Sequence, residues 1–356
     1  MSSSGTLVRD ALAPVAGRVL QICHGYSGPF GDVARQYVDA LGRLGYEVDT
    51  VYLTGAPSEE VVRLTGGATV SFLGQQSDDI GGLKSGAIRA VARLCARADY
   101  AFCVTHRFKP AFVACLATSL PVLAVFHAYG TFARRTRQWF ARLFKKRLLL
   151  VAVSDAVRDD IRACLRGRGP RVETLHNHID AERGALCLLD RAAARQQLGL
   201  GEDDFVVANV GRLHPDKDQA TLLRAYAAVR ERLPQPARLL VVGAGRLAET
   251  LHDQARALGL GAEEVIWLER LPDARRYFAA FDVFALPSDH EPFGMVLLEA
   301  MAAGVPLICS DCGGGREVVD GAGRLFAPAD EHALADALRQ SATEPVDGPR
   351  IAEAVE

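Results

Sequence analysis

The stretch RVLQICHGYSGPFGDVARQYVDALGRLGYEVDTVYL, residues 18–53, decides the fold class. Arg18 to Cys23 is a short apolar strand running into a glycine-bearing turn, His24 to Gly31. From about Asp32 to Leu44, the apolar residues Val33, Tyr37, Val38, Leu41 and Leu44 recur at helical spacing, so an amphipathic helix follows. Gly45 stops it, and Glu47 to Leu53 supplies the next strand. Strand, helix and strand in this compass make one βαβ unit of a parallel sheet.

The same grammar continues toward the C-terminus. Strands are expected at Thr69 to Phe72, Tyr100 to Val104, Val122 to Phe126, Leu148 to Val153 and Arg171 to His176. Helices fall around Ser85 to Ala98, Pro110 to Ala117, Thr131 to Arg147 and Asp155 to Leu165. Asp180 to Glu202 is charged and helical and reads as a connection. A second series opens at Asp204 to Val210, with strands at Arg238 to Val242, Glu264 to Trp267, Val283 to Ala285, Pro306 to Cys309 and a last short one at Leu325 and Phe326. Its helices fall at Gln219 to Leu233, Leu247 to Leu258, Ala274 to Ala279 and Gly294 to Ala303. The expectation is an α/β protein of two Rossmann-like, doubly wound domains, residues 1–180 and 201–335, with a connection at 181–200 and a C-terminal segment at 336–356. Ligands of open α/β sheets bind beyond the C-terminal strand ends, so a cleft between the two domains is the expected site.

Composition agrees with a folded globular chain. Of 356 residues, 49% are hydrophobic and 24% charged. No apolar run is long enough to span a bilayer, and no secretory signal pattern opens the chain, so the expected compartment is the cytosol. The eight cysteines are scattered through apolar runs and read as buried thiols. Cys309 and Cys312 have the spacing of half a zinc site but no second pair, so no metal is expected. Charge is uneven: residues 1–180 carry 23 Lys and Arg against 15 Asp and Glu, and the remainder 18 against 28. The first half should attract anions. Nucleic acid is not the expected partner, because no recognition motif accompanies the charge.

The sharpest local signal is PSDHEPFGMVLLEAMAAGVP, residues 287–306. A strand ends, a polar loop carries Glu291, and an apolar helix begins about Gly294 with its backbone N–H groups available to phosphate oxygens. Glu299 lies about a turn and a half into that helix among apolar neighbours, where a charge needs donors such as ribose hydroxyls or a pairing partner in the core. Glu291 and Glu299 are not disposed like the paired carboxylates of a glycosidase, which flank one glycosidic bond.

This run resembles the Glu-x7-Glu signature of family 4 of the retaining glycosyltransferases, and Ala300 to Pro306 matches its continuation. The resemblance implies a GT-B fold, a nucleoside diphosphate sugar as donor and no cofactor. Glu291 would approach the donor sugar, Glu299 would hold the ribose, and the backbone of Phe293, Gly294, Met295 and Val296 would approach the phosphates. Gly211-Arg212-Leu213 with Lys217 resembles the family's positive clamp on the diphosphate, where fixed cations stabilise the charge of the departing phosphate. Gly28 to Asp32 resembles its glycine-rich loop, giving Gly28 and Gly31 donor-side roles. His127 resembles the active-site histidine at a strand end, with His106 and His24 ranked below it. Asn177 to Asp180 and Gly313 to Glu317 match further family stretches, and Glu317 either orients the donor region or caps a helix.

The implied reaction is hexosyl transfer with retention, by front-face substitution or through a short-lived covalent intermediate. A UDP-hexose is the preferred donor and GDP-mannose the alternative. A nucleotide-sugar epimerase, a sugar phosphorylase and an inactive nucleotide-sugar-binding protein share the architecture. The acceptor is expected to be a lipopolysaccharide precursor or other envelope glycan, as a glycolipid or oligosaccharide. Arg134 to Arg147 holds seven basic residues, with Trp139, Phe140, Leu143 and Phe144 on one helical stripe. It reads either as a packed helix with a cationic back or as a peripheral contact with an anionic membrane surface.

Overall fold

A computed structural model describes residues 17–26, 30–76, 84–179 and 187–344. The chain divides into two compact units, the first of residues 17–152 and 158–175, the second of residues 153–157 and 176–344 among those described. Gly28, expected at the glycine-rich turn, lies outside the described residues, as does Asp180.

The first unit holds a seven-stranded parallel sheet in the order β3-β2-β1-β4-β5-β6-β7. Its strands are β1 (Gly17–Cys23), β2 (Tyr46–Thr54), β3 (Thr69–Gln75), β4 (Tyr100–His106), β5 (Val122–Phe126), β6 (Leu148–Ala152) and β7 (Val172–Thr174). The helices are α1 (Phe30–Arg43), α2 (Glu59–Thr65), α3 (Ser85–Cys95), α4 (Phe108–Ala117), α5 (Arg135–Leu143) and α6 (Asp155–Leu165), whose opening residues count with the second unit. Strand order reverses between β1 and β4, where Ile22 pairs with Thr105. That reversal opens the crevice in which such sheets take ligands.

Two expectations need correction. The helix expected through Thr131 to Arg147 is confined to α5. Arg147, instead of extending it, donates to the carbonyls of Thr118 (2.7 Å) and Leu120 (3.0 Å) and ties the chain down before β6. The aromatic stripe therefore splits: Phe140 is buried against Phe144, ring centroids 4.7 Å apart, while Trp139 and Leu143 are exposed by 65% and 58%. The short helix α2 has no counterpart in the hydrophobic pattern. Ser58 caps it, its hydroxyl accepting from the Val61 N–H, and Glu59 and Glu60 favour its first turn.

The second unit has a six-stranded parallel sheet in the order β10-β9-β8-β11-β12-β13. These strands are β8 (Phe205–Val210), β9 (Ala237–Val242), β10 (Val265–Leu268), β11 (Val283–Leu286), β12 (Leu307–Ser310) and β13 (Arg324–Phe326). Helices α7 (Arg191–Leu198), α8 (Gln219–Val229), α9 (Ala248–Ala257), α10 (Met295–Ala302), α11 (Gly313–Val319) and α12 (Glu331–Thr343) cover it. Consecutive strand residues go to opposite faces and both faces are buried, which is why these strands read as unbroken apolar runs. Val207, Leu239 and Val241 pack with Leu222, Leu223 and Tyr226 of α8 and Leu334 and Leu338 of α12. Val206, Ala208, Leu240 and Val242 pack on the other side with Leu297 and Met301 of α10. Each such side chain contributes on the order of 1.5–3 kcal/mol by leaving water. This sheet reverses between β8 and β11, so the loops after Val210 and Leu286 leave neighbouring strands at one edge of the crevice. No helix among the described residues is long and apolar enough to cross a membrane.

Candidate active site

In the second unit, the loops leaving β8 and β11 bring Lys217 to Glu291. Lys217 ends a 3-10 turn, Pro215–Lys217, and its Nζ donates to Glu291 Oε2 at 2.5 Å. The Ser288 hydroxyl donates to the same oxygen at 3.0 Å. Side-chain exposure is 16% for Lys217 and 6% for Glu291, so the pair is largely withdrawn from water and each charge depends on the other. The loops are also joined through their backbones, the Asp289 N–H donating to the Asp216 carbonyl at 3.1 Å.

Arg212 sits apart from this pair. It is exposed and reaches Asp216 at 3.3 Å, while the other oxygen of Asp216 meets His214 Nδ1 at 2.5 Å. The two cations expected to act together are thus held by different carboxylates.

Immediately after Glu291 the chain enters α10 through Gly294, whose φ of +91° explains the glycine. Gly294, at the N-cap position, supplies no side-chain cap to this helix start, where the positive end of the helix dipole lies. Phe293 is buried and its ring packs near His176, centroids 5.9 Å apart, so its side chain is taken up by the interior. Met295, Val296 and Glu299 are all half-buried. Glu299 is one turn along the helix from Met295 and is less enclosed than its apolar neighbours in the sequence suggest.

Beneath the loop lies the glycine run that opens α11. The Gly314 N–H donates to the Glu291 carbonyl at 2.8 Å. A Cβ on Gly314 would stand 2.2 Å from the Pro292 carbonyl oxygen, and one on Gly315 would stand 3.2 Å from Glu291 Cγ. Gly314 is required by the close approach of the Pro292 backbone, and Gly315 makes room for the side chains of Cys309 and Glu291. Ser288 and Ser310 are fully buried, and Ser310 Oγ donates to the Ser288 carbonyl, fixing the start of the loop. Cys312 Sγ reaches that same carbonyl at 3.0 Å, and burial pushes the Cys309 thiol far up, so both sulfurs have local structural partners. Glu317 is a cap: its two carboxylate oxygens accept the N–H groups of Asp155 (2.7 Å) and Ala156 (2.8 Å), and His176 Nε2 lies 3.0 Å away. Ser154 completes that cap, its hydroxyl accepting from the Val157 N–H at 3.1 Å. Asp155, His176 and Glu317 offer ligand atoms close enough to share a metal ion, but Glu317 is already committed to backbone donors.

Sequence reading missed Gly243 and Gly245 after β9. A Cβ on Gly243 would lie 1.9 Å from the Gly211 carbonyl oxygen, and one on Gly245 would lie 2.2 Å from that of Leu213. The Gly211 to Leu213 loop is therefore seated directly on this second backbone.

In the first unit, His127 follows β5 and is half-buried, whereas His106, ranked below it in the sequence, is 3% exposed at the end of β4. Their rings stack with centroids 5.5 Å apart. Burial, then the nearby Arg107 charge, pushes His127 down to about 4; burial and His127 hold His106 well below its ordinary value. Both imidazoles are neutral near pH 7. Arg107 itself was not foreseen. It carries a non-glycine φ of +78° and lays its guanidinium 3.7 Å from the Phe30 ring centroid, while Phe30 stands edge-on to His127. Such a backbone costs roughly 1–3 kcal/mol and is retained where the surroundings impose it. Gly31 lies in the first turn of α1, not in a loop, and its φ is ordinary. His24 ends the β1 turn with Nδ1 buried and without a hydrogen-bond partner, and burial lowers its proton affinity.

Comparison with known proteins assigns the two halves separately. Residues 31–183 match Glycosyltransferase Family 4, and residues 190–353 match Glycosyl transferases group 1. A D-inositol 3-phosphate glycosyltransferase of Stackebrandtia nassauensis is 39% identical over 175 residues, 46% of this chain and 39% of that protein. The GDP-mannose-dependent alpha-(1-6)-phosphatidylinositol monomannoside mannosyltransferase of Mycolicibacterium smegmatis is 36% identical over 190 residues, 50% of this chain and 49% of that one. The chain thus spans less than half the length of these curated relatives. A glycosyltransferase structure from Rickettsia africae superposes with a TM-score of 0.76 at 15% identity, covering 95% of this chain and 96% of that one, a likeness of fold. Two parallel-sheet units and two adjoining family matches together make this chain a glycosyltransferase of the GT-B fold, related to family 4 and to group 1.

Proposed function

We propose that this protein transfers a hexose, with retention, from a nucleoside diphosphate sugar to a hydroxyl of a phosphate-bearing envelope glycoconjugate. The observation that carries this reading is the Lys217–Glu291 pair beside the start of α10. A departing diphosphate gains negative charge as the sugar–phosphate bond breaks. Lys217, which keeps two further N–H donors beyond the one given to Glu291, would meet that charge together with Arg212 and the N–H groups of residues 293–296. Glu291 is assigned to the donor sugar, Glu299 to the ribose, and Gly28 and Gly31 to the phosphate side. His127, neutral at pH 7, binds a sugar hydroxyl instead of serving as a charged acid.

The preference for a UDP-hexose gives way to GDP-mannose as the donor to test first, because a relative 36% identical is named for that donor. The acceptor reading leans on two supports: relatives named for inositol phosphate and phosphatidylinositol mannoside acceptors, and the basic excess of residues 1–180. A lipopolysaccharide precursor carries the same phosphate chemistry. Exposed Trp139 lines a groove of about 790 Å³ with Arg135, Arg142, Arg166, Arg168 and a single carboxylate, Asp160, and exposed Leu143 follows on the same helix. This face is the proposed peripheral contact with an anionic membrane at the cytoplasmic side. Vesicles containing anionic lipid should bind the protein at low salt and release it at high salt. Incubating the protein with GDP-mannose, UDP-glucose and phosphorylated polyol or glycolipid acceptors, with anomeric analysis of product, tests the reaction. Donor binding without product from any pair would favour the inactive binding protein, and a free epimerised donor or sugar phosphate would favour the epimerase or phosphorylase.

A further inference from the structure

The hydrogen bonds around His106 determine which nitrogen of His127 carries the proton. Gln21, fully buried on β1, places Nε2 3.0 Å from the Ala34 carbonyl and 3.1 Å from Thr50 Oγ1. A carbonyl only accepts, so the amide nitrogen must face Ala34, and Oε1 must face the other way. That oxygen lies 3.1 Å from His106 Nε2. Being an acceptor, it requires a proton on Nε2. A neutral His106 then has a bare Nδ1, which lies 3.3 Å from His127 Nε2 and can only accept from it. His127 is therefore protonated at Nε2, and its Nδ1 is left with a free lone pair.

We propose that Gln21 and His106 are positioning residues that lock His127 in its Nε2–H tautomer, so that His127 Nδ1 accepts a hydrogen bond from a hydroxyl of the donor sugar. This assignment rests on the reading of His127 as a sugar contact, but the tautomer itself does not. It makes His127 an acceptor toward its ligand and excludes it as an N–H donor to the leaving phosphate. The device sits where β1 and β4 adjoin at the reversal of strand order, which is why two residues 85 positions apart meet there. Tyr37 holds the arrangement from the helix side, its ring edge-on to His106 with centroids 4.8 Å apart. The charges that lower the proton affinity of these imidazoles are cations, Arg107 acting on His127 and Lys109 and Arg107 on His24.

Protein labelled with ¹⁵N in histidine, with long-range ¹H–¹⁵N correlation spectra from pH 8 to pH 5, reads the tautomers without any substitution. Nε2–H patterns for both His106 and His127, unchanged across that range, are expected. An Nδ1–H or charged His127 at pH 7 overturns the lock. Gln21→Met should spread His127 over both tautomers and lower turnover by about 10- to 100-fold with the donor KM changed far less, the scale of one misdirected hydrogen bond. Loss of turnover in Gln21→Met with an unaltered His127 tautomer also overturns it. Full turnover in His127→Ala, with the wild-type tautomers as expected, would instead overturn the catalytic assignment of His127 on which the sugar contact rests.

Discussion

Removing the cation from Glu291 should cost more than removing the carboxylate from Lys217. In Lys217→Met, a carboxylate with 6% side-chain exposure loses its cation while the Ser288 hydroxyl stays at 3.0 Å. Stranding one member of a buried pair typically costs about 3–5 kcal/mol; the surviving hydroxyl reduces this to about 2–4 kcal/mol. In Glu291→Gln the lysine, 16% exposed, can turn toward water, and the expected loss is about 1–2 kcal/mol. The double variant should fall short of the sum by about 2 kcal/mol, because the second change relieves what the first left unpaired. Only two tryptophans are present, Trp139 in the first unit and half-buried Trp267 on β10 in the second. Urea unfolding followed by fluorescence in a Trp139→Phe background therefore reports the second unit alone. Additivity of the single variants within about 0.5 kcal/mol would refute the coupling, and with it the claim that these charges are interdependent. Both single variants should also lose most transfer activity, which a product assay reads.

Gly243→Ala forces a methyl to 1.9 Å from the Gly211 carbonyl at a φ of +148°, so the second unit should lose at least about 2 kcal/mol and Arg212 its seat, visible as a lower Tm and weaker donor binding. Glu317→Ala withdraws the acceptor from two backbone N–H groups at the start of α6, and a loss of about 1–2 kcal/mol is expected by denaturation. Acid should weaken the first unit before it weakens the second. His24, His106 and His127 resist protonation when folded, so the unfolded chain binds more protons below its ordinary histidine value of 6.5. Stability then falls as pH drops from 6.5 toward about 4, by about 2–3 kcal/mol from His127 alone after allowing for its partial exposure. Histidine resonances of the first unit that titrate near 6.5 would contradict this.

The strand-to-loop grammar was readable because each β-strand of a parallel sheet is an apolar run and each site loop follows one. Glu291 stands out as a charge in a polar loop just past a strand end, whereas Lys217 and His127, also past strand ends, are singled out by the family resemblance. Gln21 is not, since a glutamine inside an apolar strand has no local signature, and its partner is supplied by sheet order. Three glycines weigh against a helix at 313–315, yet α11 begins there because only glycine clears Pro292. Gly243-Ala244-Gly245 after an apolar strand did carry a signal that attention to glycine spacing would have caught. The split of Trp139 from Phe140 follows from where α5 stops, which depends on Arg147 binding three carbonyls of the preceding segment.

The glycine floor under Glu291 also sets the size of any transplantable cassette. A chimera that exchanges only residues 287–306 between related chains would import a carboxylate loop but leave it resting on the recipient's α11. With the Pro292 carbonyl only 2.2 Å from where a Cβ at position 314 would fall, a recipient bearing any side chain there would displace the loop before a donor arrived. The exchangeable module is therefore the whole β11-to-α11 segment, residues 283–319, with β12 carried along as its spacer.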